Sequence, residues 1–234
     1  MRLRLHVCSV LLLVAPWGMP ALSSDPSTTR GTVCICIDPG HPSENNDGAT
    51  VTNGLREVSV NWEVAQLLRN ILEREGFKVV LTKKSEGEFV KNKDRAAIAN
   101  AAEAKLFLRL HADAGPSTGF TVYYPRRPGT SHGTTGPSEE VLASSKIAAA
   151  RFHPAFAEAL REKLRDNGLH GEEDTLIGGR QGALTGSIFS KVPTVLVEMV
   201  FLTTAKDAGW IKQEANKAIM AEALASGVKA IFDP

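Results

Sequence analysis

Apolar and polar positions along this chain alternate between strand-like and helix-like periods. Val33 to Ile37 (VCICI) is a short, wholly apolar run stopped by Asp38-Pro39-Gly40, the pattern of a strand buried on both faces. Pro42 to Gly54, rich in Asn, Ser, Gly and Thr, reads as a loop. From Glu57 to Glu75 the period becomes helical: Val60, Val64, Leu67, Leu68, Ile71 and Leu72 share one stripe, and Gly76 caps its end. Phe77 to Thr82 is the next strand, Lys91 to Ala102 a second helix, and Leu106 to Leu110 a third strand ending at His111. Gly119 to Tyr124 reads as a fourth strand and Pro125 to Pro137 as a loop. Glu139 to Asn167 reads as a long helical stretch, broken near Pro154 and ended by Gly168-Leu169. Thr194 to Val197 is a buried strand ending at Glu198, and Asp207 to Phe232 forms closing helices. Strands alternating with helices predict an α/β fold: a three-layer domain whose mostly parallel or mixed central sheet is flanked by helices.

Length and charge narrow this picture. The chain has 234 residues and a formal net charge of +1. That is enough chain for a full core, and a near-neutral balance argues against nucleic-acid binding as the main role. Residues 1–23 read as a signal peptide: Arg2 and Arg4 lead, Val10 to Pro16 is apolar, and Ala21-Leu22-Ser23 offers a cleavage site. Pro16, Gly18 and Pro20 make that segment a poor membrane span, so no stable membrane insertion is expected after cleavage. Residues 24–31 are a short polar lead-in and 32–234 one domain. Cys8 falls in the signal; Cys34 and Cys36 share one strand face and read as two buried thiols rather than a disulfide.

The chemistry gathers at element boundaries. In such sheets functional groups collect at the carboxyl ends of strands. His41 and His111 follow strand-like runs, and Glu57 opens a helix whose preceding loop starts beside His41. Two imidazoles and one carboxylate are a hydrolytic zinc set that leaves one coordination position open. Glu198 ends another apolar run, where an unpaired acid is expensive to bury, and is the candidate proton acceptor. His132, His153 and His170 read as loop or solvated positions, and Arg95 as a structural ion-pair partner.

On these residues the chain resembles the zinc-dependent N-acetylmuramoyl-L-alanine amidases of the type 3 amidase fold. The blocks carrying the resemblance are ICIDPGH (35–41), NGLREVSVN (53–61), GFKVVLTKK (76–84), KDRAAIANAAEAKLFLRLHAD (93–113) and VPTVLVEMVFLTTAKD (192–207). The resemblance implies His41, Glu57 and His111 as zinc ligands and Glu198 as the catalytic glutamate. It also implies hydrolysis of the amide joining N-acetylmuramic acid to L-alanine, with peptidoglycan or muropeptides as substrate and a periplasmic or secreted location. The chain departs from the family where Arg109-Leu110 replaces a small Ser-Ile pair, where Val200 replaces a Gly, and where Pro42-Ser43 follows His41. Arg109 is expected to bring a cation toward the metal site and Val200 to narrow the pocket. Pro125 to Ala150 is the only stretch suited to a short lid, and its Gly/Pro-rich start favours an open loop. A zinc peptidase of the stem peptide and an inactive wall-binding module are the competing functions. The second has no need for Glu198.

Overall fold

Six strands form one sheet in the computed structural model, which describes residues 32–233. The expected signal peptide and lead-in lie outside the described residues. The sheet strands are β1 (Cys34–Pro39), β4 (Lys78–Leu81), β5 (Leu106–Asp113), β6 (Phe120–Tyr124), β9 (Asp166–Gly171) and β10 (Thr194–Phe201), in the order β4-β1-β5-β10-β6-β9. β4, β1, β5 and β10 run parallel; β6 is antiparallel to β10 and parallel to β9. Two small hairpins, β2–β3 (Val51–Thr52, Leu55–Arg56) and β7–β8 (Gly129–Ser131, Thr134–Gly136), stand outside the sheet.

Alternation along the strands divides the core into two clusters of unequal size. Ile35 and Ile37 point into the larger one, shared with α1 (Glu57–Arg74), α3 (Glu139–Leu160) and α7 (Glu214–Phe232). Cys36 and Phe107 point into a smaller one beneath α2 (Asn92–Ala101), with Ala96 and Ala99. The three-layer expectation therefore holds, with the polar chemistry on the less covered face. On that face the register stacks three rows: Cys36 beside Phe107, then Asp38 beside Arg109 and Leu196, then His111 beside Glu198.

α1 has the stripe its sequence predicts. Val60, Val64, Leu68 and Leu72 are buried, and the chain leaves the helix through Gly76 at a φ of 88°. That left-handed conformation costs glycine nothing. Other expectations need correction. α3 runs unbroken through Pro154, pinned by the fully buried Phe152 and Phe156 on either side. It ends at Leu160, and Asp166 and Asn167, read as its tail, instead open β9. The Pro125 to Pro137 loop contains the β7–β8 hairpin, whose turn residues His132 and Gly133 both have positive φ, as a two-residue hairpin turn requires. β5 and β10 continue beyond His111 and Glu198, so both residues lie inside strands. Cys36 is buried as expected, whereas Cys34 is only partly so. The closing segment is two helices, α6 (Ala205–Ile211) and α7.

Candidate active site

Three elements bring their ends together. His41 follows β1 in a tight turn, Glu57 is the first residue of α1, and His111 stands on β5. The three can each offer one ligand atom, and these atoms all lie within 4.8 Å of one another. His41 Nε2 and His111 Nδ1 both converge on Glu57 Oε1, at 3.2 and 3.1 Å. Gly40 makes this approach possible: a Cβ there would sit 2.4 Å from His111 Cε1 and 2.6 Å from its Nε2.

The turn carrying His41 is held by side chains at four successive carbonyls. Arg95 donates to Pro39 O and Pro42 O, Asn61 to Gly40 O, and Lys83 to His41 O. His41 itself has a φ of 60°, so this support holds a non-glycine residue in a costly conformation. Beneath it, the fully buried Asp38 accepts from Arg95 at 2.7 Å and from Arg109 at 3.0 Å, and from Thr82. Arg95 thus makes the structural ion pair expected of it.

The electrostatics follow from this packing. Burial alone would raise the Glu57 carboxyl, but hydrogen bonds from His111 and His41 outweigh it and hold it well below the usual carboxylate range. Burial pushes Glu198 well above that range, with Asp113 and Glu57 adding repulsion. Burial and the nearby Arg95 bring Lys83 down to about 8.

Glu198 stands directly opposite His111 in the β5–β10 register. It lines a cavity of ≈ 410 Å³ together with His41, His111, Asp113 and Arg109. Two buried polar atoms here, His111 Nε2 and Glu198 Oε2, have no hydrogen-bond partner among the described residues. Orphaned buried polar atoms are rare in folded proteins and mark places where something else binds. His41 Nδ1 meets Asn46 O at 3.0 Å. With a metal bound, donation through Nδ1 would leave the Nε2 lone pair for the ion. The donor set and its burial fit a bound cation, and His41, Glu57 and His111 form a candidate metal site.

All four residues singled out in the sequence come together. The other histidines do not join them: His132 is at the hairpin tip, His153 pairs with Asp166 at 3.0 Å, and His170 meets Asn167 O at 2.8 Å. Arg109 does line the cavity. Val200 does not narrow it, because an irregular register between Glu198 and Phe201 turns Val200 into the core. Nor does the wall of the cavity come from Pro125 to Ala150. It comes from Thr175, Leu176, Ile177, Leu184 and Thr185, around the short helices α4 (Leu176–Gln181) and α5 (Thr185–Ile188). Asn61 was findable as the i+4 neighbour of Glu57 on one helix face. Lys83 and Glu172 were not, since a Lys-Lys pair and an acidic triplet read as solvated surface.

A mostly parallel mixed sheet with a His/Glu/His cluster at its carboxyl edge defines an α/β protein with a candidate metal site of the hydrolase type. Residues 35–230 match the N-acetylmuramoyl-L-alanine amidase family (Amidase_3), and the chain belongs to it. Among its relatives, the N-acetylmuramoyl-L-alanine amidase LytC of Bacillus subtilis is 32% identical over 198 residues, 85% of this chain and 35% of that protein. The sporulation-specific N-acetylmuramoyl-L-alanine amidase of the same organism is 31% identical over 210 residues, 86% of this chain and 69% of that protein. The chain therefore spans only about a third of the length of LytC. The solved catalytic domain of CwlV, an N-acetylmuramoyl-L-alanine amidase from Bacillus (Paenibacillus) polymyxa var. colistinus, superposes with a TM-score of 0.67 at 25% identity. That match covers 85% of this chain and 97% of that one.

Proposed function

We propose that this chain is an exported zinc amidase that hydrolyses the bond between N-acetylmuramic acid and L-alanine in peptidoglycan. The observation that carries the reading is the convergence of His41, Glu57 and His111 with Glu198 across the register, in a chain of the amidase family. Amidase chemistry follows from that membership. Zinc is the ion proposed, because two imidazoles and a carboxylate are its hydrolytic donor set. Held by His41, Glu57 and His111, it would activate a water molecule and polarise the scissile carbonyl.

The chain's own groups supply the rest. Glu57 is held ionised by its two histidine partners, as a ligand must be. Glu198 takes a proton at its carboxylate and returns it to the leaving nitrogen of L-alanine. An amide nitrogen leaves poorly until it is protonated, so the return step matters as much as the first. Burial raises the affinity of Glu198 for that proton. Substrate reaches the site through the open cavity, and peptidoglycan or its muropeptides lie outside the cytoplasm, in keeping with an N-terminal export signal. No helix among the described residues is long and apolar enough to cross a membrane.

Glu198→Gln tests the assignment. Turnover of muropeptides is expected to fall by at least ~100-fold, the typical contribution of a general acid–base group, with zinc content unchanged. Full turnover in this variant would remove Glu198 from the mechanism.

A further inference from the structure

Arg109 is a buried cation that lines the active-site cavity and shares its one ion-pair carboxylate with a second guanidinium. Its side chain is 3% exposed. Nε donates to Asp38 Oδ2, the same carboxylate that already pairs with Arg95. Nη2 donates to Asn92 Oδ1. Two guanidiniums thus share one carboxylate. Glu172 and Glu198 are the other acids that feel the charge of Arg109; Glu172 is fully buried, with both its oxygens spent on Ser187 Oγ and Leu184 N, and neither forms an ion pair with the guanidinium. Burial raises the Glu172 carboxyl to about 7, which makes it a partial counter-charge at neutrality. Asn92 turns its carbonyl oxygen to Arg109, and its amide nitrogen donates to no described residue. Arg109 and Asn92 both line the cavity that His41, His111 and Glu198 share.

Position sets what such a site can hold. Arg109 and His111 are two residues apart on one strand face, so the guanidinium is rooted roughly 7 Å down the sheet from the metal-site imidazole. Two residues of extended peptide span about the same distance. The carboxyl functions of the substrate lie on its peptide side, while the sugar side presents hydroxyls and amides. Glu198 and Asp113 line the same cavity, and Glu198 lies within electrostatic reach of Arg109.

We infer that Arg109, supported by Asn92, is a carboxylate-binding subsite that takes the free α-carboxylate of the residue following L-alanine in the stem peptide. A guanidinium matches a carboxylate in shape and charge, and this one is already fixed, so little ordering is lost on binding. The subsite makes the enzyme selective for stems whose second residue is D-isoglutamate over those carrying the neutral D-isoglutamine. It rests on the amidase reading for the direction in which substrate lies.

The test measures two things on the zinc-loaded full chain, with Arg109→Gln and Asn92→Ala alongside. One is kcat/KM on N-acetylmuramoyl-L-alanyl-D-isoglutamate and on its isoglutamine counterpart, the γ-carboxyl being capped as a methylamide in these and in the dipeptides so that only the α-group differs. The other is calorimetric binding of the dipeptides L-alanyl-D-isoglutamate and L-alanyl-D-isoglutamine, which needs no turnover. Wild type should favour the carboxylate by tenfold or more in both, mainly through KM. R109Q should bring the ratio to within about twofold, and N92A should lower it part of the way without dismantling the Asp38 pair. Equal treatment of the two forms by wild type overturns the subsite, and so does an R109Q that weakens both equally. Selective dipeptide binding without cleavage of either substrate would sink the amidase reading and leave the subsite standing.

Discussion

At the residue scale the site depends on backbone proximity as much as on the ligating side chains. His111 can approach Glu57 only because residue 40 has no Cβ; an added methyl would overlap all the nearest imidazole atoms. The ring also borders the cavity, but moving aside would take Nδ1 away from Glu57. Gly40→Ala should therefore weaken zinc binding by at least ~10-fold, the usual loss when a ligand's supporting contacts are disturbed. Competition against a chromophoric chelator reads this directly, and unchanged affinity would show that His111 can sidestep the methyl. Of the four key residues Glu198 was the most legible alone; Glu57, which the helix dipole explains cheaply, and His111, which could be a satisfied core histidine, were legible only as a set and through the family blocks. A histidine after Asp-Pro-Gly or an acid inside an apolar strand needs a partner or a purpose. Lys83 was not legible, because only the fold shows it buried beneath Trp62 with its amine on His41 O.

At the scale of elements, the parallel strands and α1 were readable from periodicity alone, since their burial is strong and regular. β9 (DNGLHG) has no apolar alternation and is a strand by virtue of pairing with β6. The β7–β8 hairpin is built of Gly, Thr and Ser, and its turn geometry rather than its pattern defines it. The wall formed by residues 172–188 was equally hidden, because its anchor is a buried acid. Glu172 has a folded pKa of about 7, above the ~4.3 of an unfolded glutamate. The folded state thus holds the proton that the unfolded state has lost. Stability from this group is full below ~4.3 and declines as pH rises toward 7. Urea midpoints at pH 5 and pH 8 should show the wild type losing stability at the higher pH, and Glu172→Gln should flatten that difference. A wild-type slope that E172Q leaves untouched would assign it elsewhere.

At the scale of the whole molecule, the core and the site are largely separate structures. The large apolar cluster lies between the sheet and α1, α3 and α7, and none of His41, Glu57 or His111 belongs to it. The candidate metal site is attached to a fold that its own burial stabilises, unlike small domains that fold only around their ion. Chelation should therefore abolish turnover while the far-UV circular dichroism stays native, and zinc should restore activity without a refolding step. Collapse of the secondary structure on chelation would instead make the metal part of the core.

The most direct test of the central claim is the product itself. Purified muropeptides incubated with the zinc-loaded protein, and analysed by mass spectrometry, should yield stem peptides with a free L-alanine amino terminus and intact N-acetylmuramic acid. Fragments cut between two amino acids would make this chain a peptidase and contradict the amidase account.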